Sequence, residues 1–251
     1  MTEGPTARLR AIQIEKEFLG KRLENINIRS KRVFVDPNEL VGTRLRRAYT
    51  YGKNILLSFE PYGIRIHLMM YGSIRFEEKF SKPENRIRLI LDFESGRMVV
   101  YNAPIVEVDF LENIEDRLSK ELGIDPFRNW DEEKLFNMLI KNRDRVIGEV
   151  LLDQSVFAGV GNILRNEILF RSSIRPDRRI SDIPEKKLKL LIRITKRLCE
   201  EFLDSKLKGR GIKSLLMVYN SRYCRRCGGK ISYYRDEFTG RKTFFCPNCQ
   251  S

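Results

Sequence analysis

The chain has 251 residues, enough to bury a substantial core and to form more than one compact unit. Its 48 Lys and Arg against 34 Asp and Glu leave a formal net charge of +14, which makes a polyanion the first partner to consider. No apolar run approaches the ~20 residues of a membrane span and no signal-peptide pattern opens the chain, so no membrane association and a cytoplasmic protein are expected.

The opening, MTEGPT, places Glu3 directly after the small residue Thr2. Removal of Met1 would expose an α-amine with a pKa of about 8, a nucleophile near neutral pH, beside a carboxyl group suited to move its protons. The following ARLRAIQIEKEFL reads as one helix. From Leu45 to Tyr101 the pattern is strand-like. The runs NILLSFE, IRIHLMM, RIRLILDF and RMVVYN are separated by turn residues, including Pro61-Tyr62-Gly63 and Ser95-Gly96, and they predict a twisted antiparallel sandwich or barrel. Within it, Lys53 follows a glycine and reads either as a phosphate ligand or as a solvated charge. Met69, Met70 and Tyr71 closely follow His67 at a strand end. They read either as core or as an apolar wedge at the strand end.

Around Ile114 to Asp131 the alternation stops and helical spacing begins, with Leu135, Met138 and Leu139, then Leu188, Leu191, Ile192, Leu198 and Phe202. Asp182 and Glu185 have the spacing of a capping box. Residues 151 to 170, LLDQSVFAGVGNILRNEILF, read as two helices broken at Gly159-Val160-Gly161, with Asn162 capping the second and its amides able to hold a phosphate. Cys199 lies on an apolar helix face and reads as core packing.

The tail carries Cys224, Cys227, Cys246 and Cys249 as C-x2-C-x18-C-x2-C, the spacing of a zinc site. Between the pairs, a strand, an Asp-Glu-Phe-Thr-Gly-Arg turn and a second strand predict a β-hairpin that needs its metal to fold, with Arg241 and Lys242 near the tip. Four cysteines leave no position for water, so the metal, one Zn2+ per chain, is expected to be structural. The chain is thus expected to be α+β: a two-layer antiparallel β-sandwich or barrel over 1–112, a helical domain over 113–220 and a zinc hairpin over 221–251.

Three of these stretches resemble one family in the same order along the chain. The Met-x-Glu-Gly-Pro opening, the 151–170 segment and the cysteine quartet ending CPNCQ are similar to the N terminus, the helix-two-turn-helix and the zinc finger of the Fpg/Nei DNA glycosylases. The resemblance implies a bifunctional base-excision repair glycosylase and abasic-site lyase, working as a nucleoid-associated monomer on duplex DNA with damaged bases or abasic sites. In such an enzyme the N-terminal amine attacks C1′ of a flipped nucleotide, the base leaves, and a Schiff base collapses by β- and δ-elimination. Carried over by position, Thr2 is the nucleophile, Glu3 the catalytic carboxylate and Lys53 the strand lysine near the lesion. Met69, Met70 and Tyr71 are the void-filling loop, and Asn162 and Arg241 grip the flanking phosphates, with DNA expected in a basic cleft between the domains. Thr2 departs from the family's usual proline: a primary amine gives an imine that must then be protonated, a weaker but usable electron sink. YNAPIVEV, residues 101 to 108, lacks the Arg-Arg-Phe loop of Fpg, GNILRNEIL is closer to the Nei motif, and Ser205 to Tyr223 is short for Fpg's lesion-capping loop. These features imply the endonuclease VIII branch and oxidised pyrimidines. The alternatives are an Fpg-like enzyme for oxidised purines, and a damaged-DNA or abasic-site binding protein whose catalysis was lost through Thr2.

Overall fold

The computed structural model describes residues 2–237 and 239–251, so Met1 of the opening motif and Phe238 of the hairpin turn lie outside the described residues. The chain divides into two compact units, 1–121 and 122–251.

The first unit begins with helix α1 (Gly4–Phe18), which has Pro5 in its first turn, where a missing N–H costs nothing. Ala7, Ala11, Ile14 and Phe18, spaced four, three and four apart, form its buried stripe. Nine strands follow: β1 (Leu23–Ile28), β2 (Arg32–Val33), β3 (Arg47–Tyr51), β4 (Asn54–Phe59), β5 (Tyr62–His67), β6 (Ser73–Phe76), β7 (Ile87–Phe93), β8 (Gly96–Tyr101) and β9 (Ile105–Phe110). They make a four-stranded sheet, β1-β7-β8-β6, and a five-stranded sheet, β2-β9-β5-β4-β3. Alternate residues of the two sheets meet in one core: Ile55, Leu57 and Phe59 of β4 and Ile64 and Ile66 of β5 join Leu89, Leu91 and Phe93 of β7 and the α1 stripe.

Three details differ from the sequence expectation. The short pair β2·β9 is parallel. Tyr62 and Gly63 already belong to β5, opposite Phe59 and Ser58, so the turn is only Glu60-Pro61. A Cβ on Gly63 would lie 2.8 Å from Leu111 Cδ1, so the glycine serves close packing and not turn formation. Helix α2 (Leu111–Glu121) follows β9 directly and packs on β5 and β9, which puts it in the first unit, beyond the 112/113 boundary read from periodicity. Arg117 anchors it through ion pairs to Glu107 and Asp109 of β9.

The second unit contains α3 (Glu132–Lys141), the single turn α4 (Ile147–Val150), α5 (Asn162–Arg171) and α6 (Glu185–Leu207). Leu135, Leu139, Leu188, Leu191, Ile192, Leu198, Phe202 and Cys199 share its core, with Met138 packed at the margin. Two expected caps are replaced. Pro184, extended at φ −56° and ψ 138°, precedes α6, and Asp182 sits in an earlier 3-10 turn, so the capping box does not form. Gly161 occupies the N-cap of α5, and Asn162 is its first helical residue. Strands β10 (Ser232–Arg235) and β11 (Lys242–Phe245) form the hairpin, whose Phe244 packs with Phe170 and Val218. Among the described residues, no helix is long and apolar enough to cross a membrane.

Candidate active site

Because α1 starts at Gly4, the two residues before it are held at its head. Glu3 has the extended conformation of an N-cap, and its carbonyl accepts from the N–H groups of Thr6 and Ala7. Its carboxyl does not cap the helix, and both Thr2 and Glu3 are buried. The positive end of the helix favours negative charge at this position. The Thr2 backbone nitrogen donates to the carbonyl of Met69 at 2.9 Å.

That carbonyl belongs to a tight loop after β5. Met69 has φ +47°, its N–H donates to His67 Nδ1 at 3.3 Å, and Gly72 N–H donates to Leu68 O at 2.9 Å. Gly72 is required here, since a Cβ would sit 2.5 Å from Leu68 O. The backbone ring pushes its tip outward: Met70 is 45% and Tyr71 77% exposed, so the core reading of this run does not hold.

His67 faces the same end of the sheet. Burial, then the nearby positive charges of Lys53 and Arg65, pull its imidazole down to about 4, so the ring is neutral near pH 7. With Nδ1 accepting from Met69, the proton resides on Nε2. Lys53 lies in the two-residue turn between β3 and β4, next to Asn54, which pairs with His67 across the sheet. Asn54 Nδ2 donates to Tyr51 O at 3.0 Å and its Oδ1 accepts from Arg65 Nε at 2.9 Å, which clamps that turn. Thr2, Lys53, His67 and the Met69–Tyr71 loop are therefore linked at one end of the first unit, with Glu3 adjoining Thr2.

In the second unit, Asn162 is buried and reaches the hairpin: its Nδ2 donates to Lys242 O at 3.0 Å, and its Oδ1 accepts from Arg165 at 2.8 Å. Arg165 is fully buried and also bonds Thr243, with Asp236 at 3.7 Å. Burial lowers the Arg165 pKa, Asp236 opposes that shift, and the charge of Arg241 adds to it, which places Arg241 in the same electrostatic neighbourhood. Asn166 Oδ1 accepts from Phe244 N–H, and the fully buried Glu167 accepts from Met217, Val218 and Tyr219 N–H at 2.8 to 3.0 Å. Arg165, Asn166 and Glu167 were not singled out from sequence. Ile163, Leu169 and Phe170 fall within the same arc of about 200° as these three residues, so apolar side chains occur all round the helix, the sequence sign of a buried helix whose polar residues turn inward with it.

The four tail cysteines form one cluster with every Sγ within 4.8 Å of the others. Cys224 and Cys249 Sγ are 3.9 Å apart and Cys227 and Cys246 Sγ 3.5 Å, far beyond a disulfide's ~2 Å. Four thiolates about 2.3 Å from one ion would be about 3.8 Å apart at tetrahedral edges, so the donor set fits a structural zinc.

A β-sandwich bearing the buried Thr2-Glu3 pair, followed by a helical unit with a four-cysteine hairpin whose geometry is consistent with a zinc finger, defines a helix-two-turn-helix protein. The profile of the Formamidopyrimidine-DNA glycosylase N-terminal domain matches residues 1–104, and that of the Formamidopyrimidine-DNA glycosylase H2TH domain matches residues 122–214. The chain belongs to the Fpg/Nei family of DNA glycosylases. It is 27% identical to the formamidopyrimidine-DNA glycosylase of Geobacter metallireducens, over all of both chains. It is 30% identical to the endonuclease 8-like 3 of Mus musculus over 80% of this chain, but spans only 34% of that longer protein. A solved complex of Lactococcus lactis Fpg with DNA containing an abasic site shares the fold, with a TM-score of 0.87 over 99% of both chains at 23% identity.

Proposed function

We propose that this protein is a bifunctional DNA glycosylase and abasic-site lyase that removes oxidised bases, pyrimidines first, from duplex DNA. The observation that carries the reading is the seat of Thr2: a buried residue beside the buried Glu3, at the head of a helix, with its nitrogen held by the loop that displays Met70 and Tyr71. In this reading Met1 is removed and the Thr2 amine attacks C1′ of the flipped nucleotide. Glu3 moves protons at the sugar ring as the base leaves, and the resulting imine is protonated and collapses by β- and δ-elimination. Met69, Met70 and Tyr71 form the loop that fills the vacated stack, with Met70 and Tyr71 exposed at its tip. Lys53 on the first unit, and Asn162 and Arg241 on the second, hold backbone phosphates. A single zinc in the cysteine cluster keeps the Arg241 hairpin folded and has no part in the chemistry.

The test is borohydride trapping on duplexes carrying thymine glycol or 8-oxoguanine, with mass mapping of the crosslinked peptide. An adduct on residue 2, formed faster with thymine glycol, supports the proposal. Faster reaction with 8-oxoguanine would favour the Fpg-like reading, for which the full-length match to the Geobacter metallireducens protein speaks slightly. No adduct on a protein shown to lack Met1, with tight binding retained, would leave a damage-binding protein.

A further inference from the structure

We propose that His67 is a positioning residue for the Thr2 amine, acting through the backbone of Met69. The proposal rests on the reading of Thr2 as nucleophile. A proline nitrogen is held in its ring, but the amine of a processed Thr2 rotates about its N–Cα bond, and only one staggered position aims its lone pair at a given carbon. The acceptor that can stop this rotation is the Met69 carbonyl, 2.9 Å from the Thr2 nitrogen. That carbonyl points correctly only while Met69 keeps φ +47°, a strained conformation for a residue with a side chain. Two hydrogen bonds hold the conformation: Gly72 N–H to Leu68 O, and Met69 N–H to His67 Nδ1.

The imidazole is well suited to this. It is tied into β5 between Asn54 of β4 and Ile105 of β9, and its low pKa keeps Nδ1 an acceptor across the neutral range. Met70 and Tyr71 extend from the same ring, so the displayed apolar tip and the aim of the amine form one mechanical unit.

The experiment uses the full chain with its metal and with Met1 removal verified by mass. Single-turnover borohydride trapping to a duplex with a preformed abasic site is measured for wild type, His67→Leu and His67→Asn. Affinity for a tetrahydrofuran-containing duplex is measured alongside. Both variants lose the Nε2 donor, so any effect of that group is common to them. Only Asn offers an oxygen where Nδ1 stands. The expected result is trapping about tenfold slower in His67→Leu, largely restored in His67→Asn, with equal affinities in the two variants. Equal trapping rates in the two variants would overturn the proposal. If His67→Leu does not fold, His67→Val replaces it, because it suits a strand, likewise lacks both ring nitrogens and leaves Met69 N–H unpaired. Absence of any wild-type adduct on residue 2 would remove the catalytic reading and this inference together, an outcome separate from a failed rescue.

Discussion

Glu167 makes the sharpest stability test. Its carboxylate is fully buried and accepts from three consecutive backbone N–H groups, Met217, Val218 and Tyr219, at 2.8, 3.0 and 2.8 Å. Hydrogen bonds to a charged acceptor contribute about 1.5–3 kcal/mol each, but these three share one group and do not sum. Val218 is fully buried, whereas Met217 and Tyr219 are half-buried, so water can reach part of the site once the carboxylate is gone. Glu167→Ala should therefore cost about 3–5 kcal/mol, which for a chain of this size lowers Tm by about 6–20 °C. Glu167→Gln can keep the bonds to Val218 and Tyr219 through its oxygen while turning an NH2 toward Met217, and should cost about 1–3 kcal/mol. Thermal unfolding followed by circular dichroism, with limited proteolysis of the 217–223 segment, measures both. An alanine variant within 2 °C of wild type would refute the reasoning, and a glutamine variant as unstable as alanine would show that charge outweighs acceptor count.

The only histidine of the chain can be followed by NMR without ambiguity. His67 titrates at about 4 when folded against ~6.5 when unfolded, so its contribution to stability is complete above pH 6.5 and is lost as pH falls from 6.5 to 4, on the order of 3 kcal/mol. His67→Asn should flatten that part of the stability curve, and a ring titrating near 6.5 in the folded protein would contradict the burial argument. Gly72→Ala forces the backbone ring open against Leu68 O and should cost about 1–3 kcal/mol while slowing borohydride trapping; an unchanged trapping rate would detach the loop from the chemistry. Chelation should release one zinc per chain by emission spectrometry and lower DNA affinity at constant salt. The first unit should keep its own cooperative melt, because its core is separate. Retained affinity after complete metal removal would contradict a zinc-held Arg241 hairpin.

Strands β4, β5, β7 and β8, the hairpin, the long helix α6 and the cysteine cluster were legible in the sequence, because each follows from a short-range regularity, whereas β1, β2, β6 and β9 were not read from it. The period of two in RIRLILDF, the three-and-four spacing from Leu188 to Phe202 and the paired C-x2-C turns need no knowledge of distant residues. The departures have two sources, a neighbour far along the chain in one case and a proline inside the motif itself in the other. Gly63 resembles a turn residue until α2 is packed against it, and Pro184 prevents the cap that Asp182 and Glu185 spell out.

The candidate site divides in the same way. Sequence by itself marked Thr2, Glu3, Lys53, the Met69–Tyr71 run, Asn162 and Arg241 through their positions in motifs that resemble the Fpg/Nei family; residue chemistry alone left Lys53 between a phosphate ligand and a solvated charge, and the Met69–Tyr71 run between core and wedge. Tertiary structure alone decided that Thr2 is hydrogen-bonded to Met69, that His67 braces the same loop, and that Arg165, Asn166 and Glu167 turn inward to fasten α5 to the hairpin and to residues 217–219. The reason is physical. A hydrogen bond between residues 67 positions apart depends on how two surfaces meet, and a polar side chain is committed to the interior only when packing brings partners that offset its lost hydration.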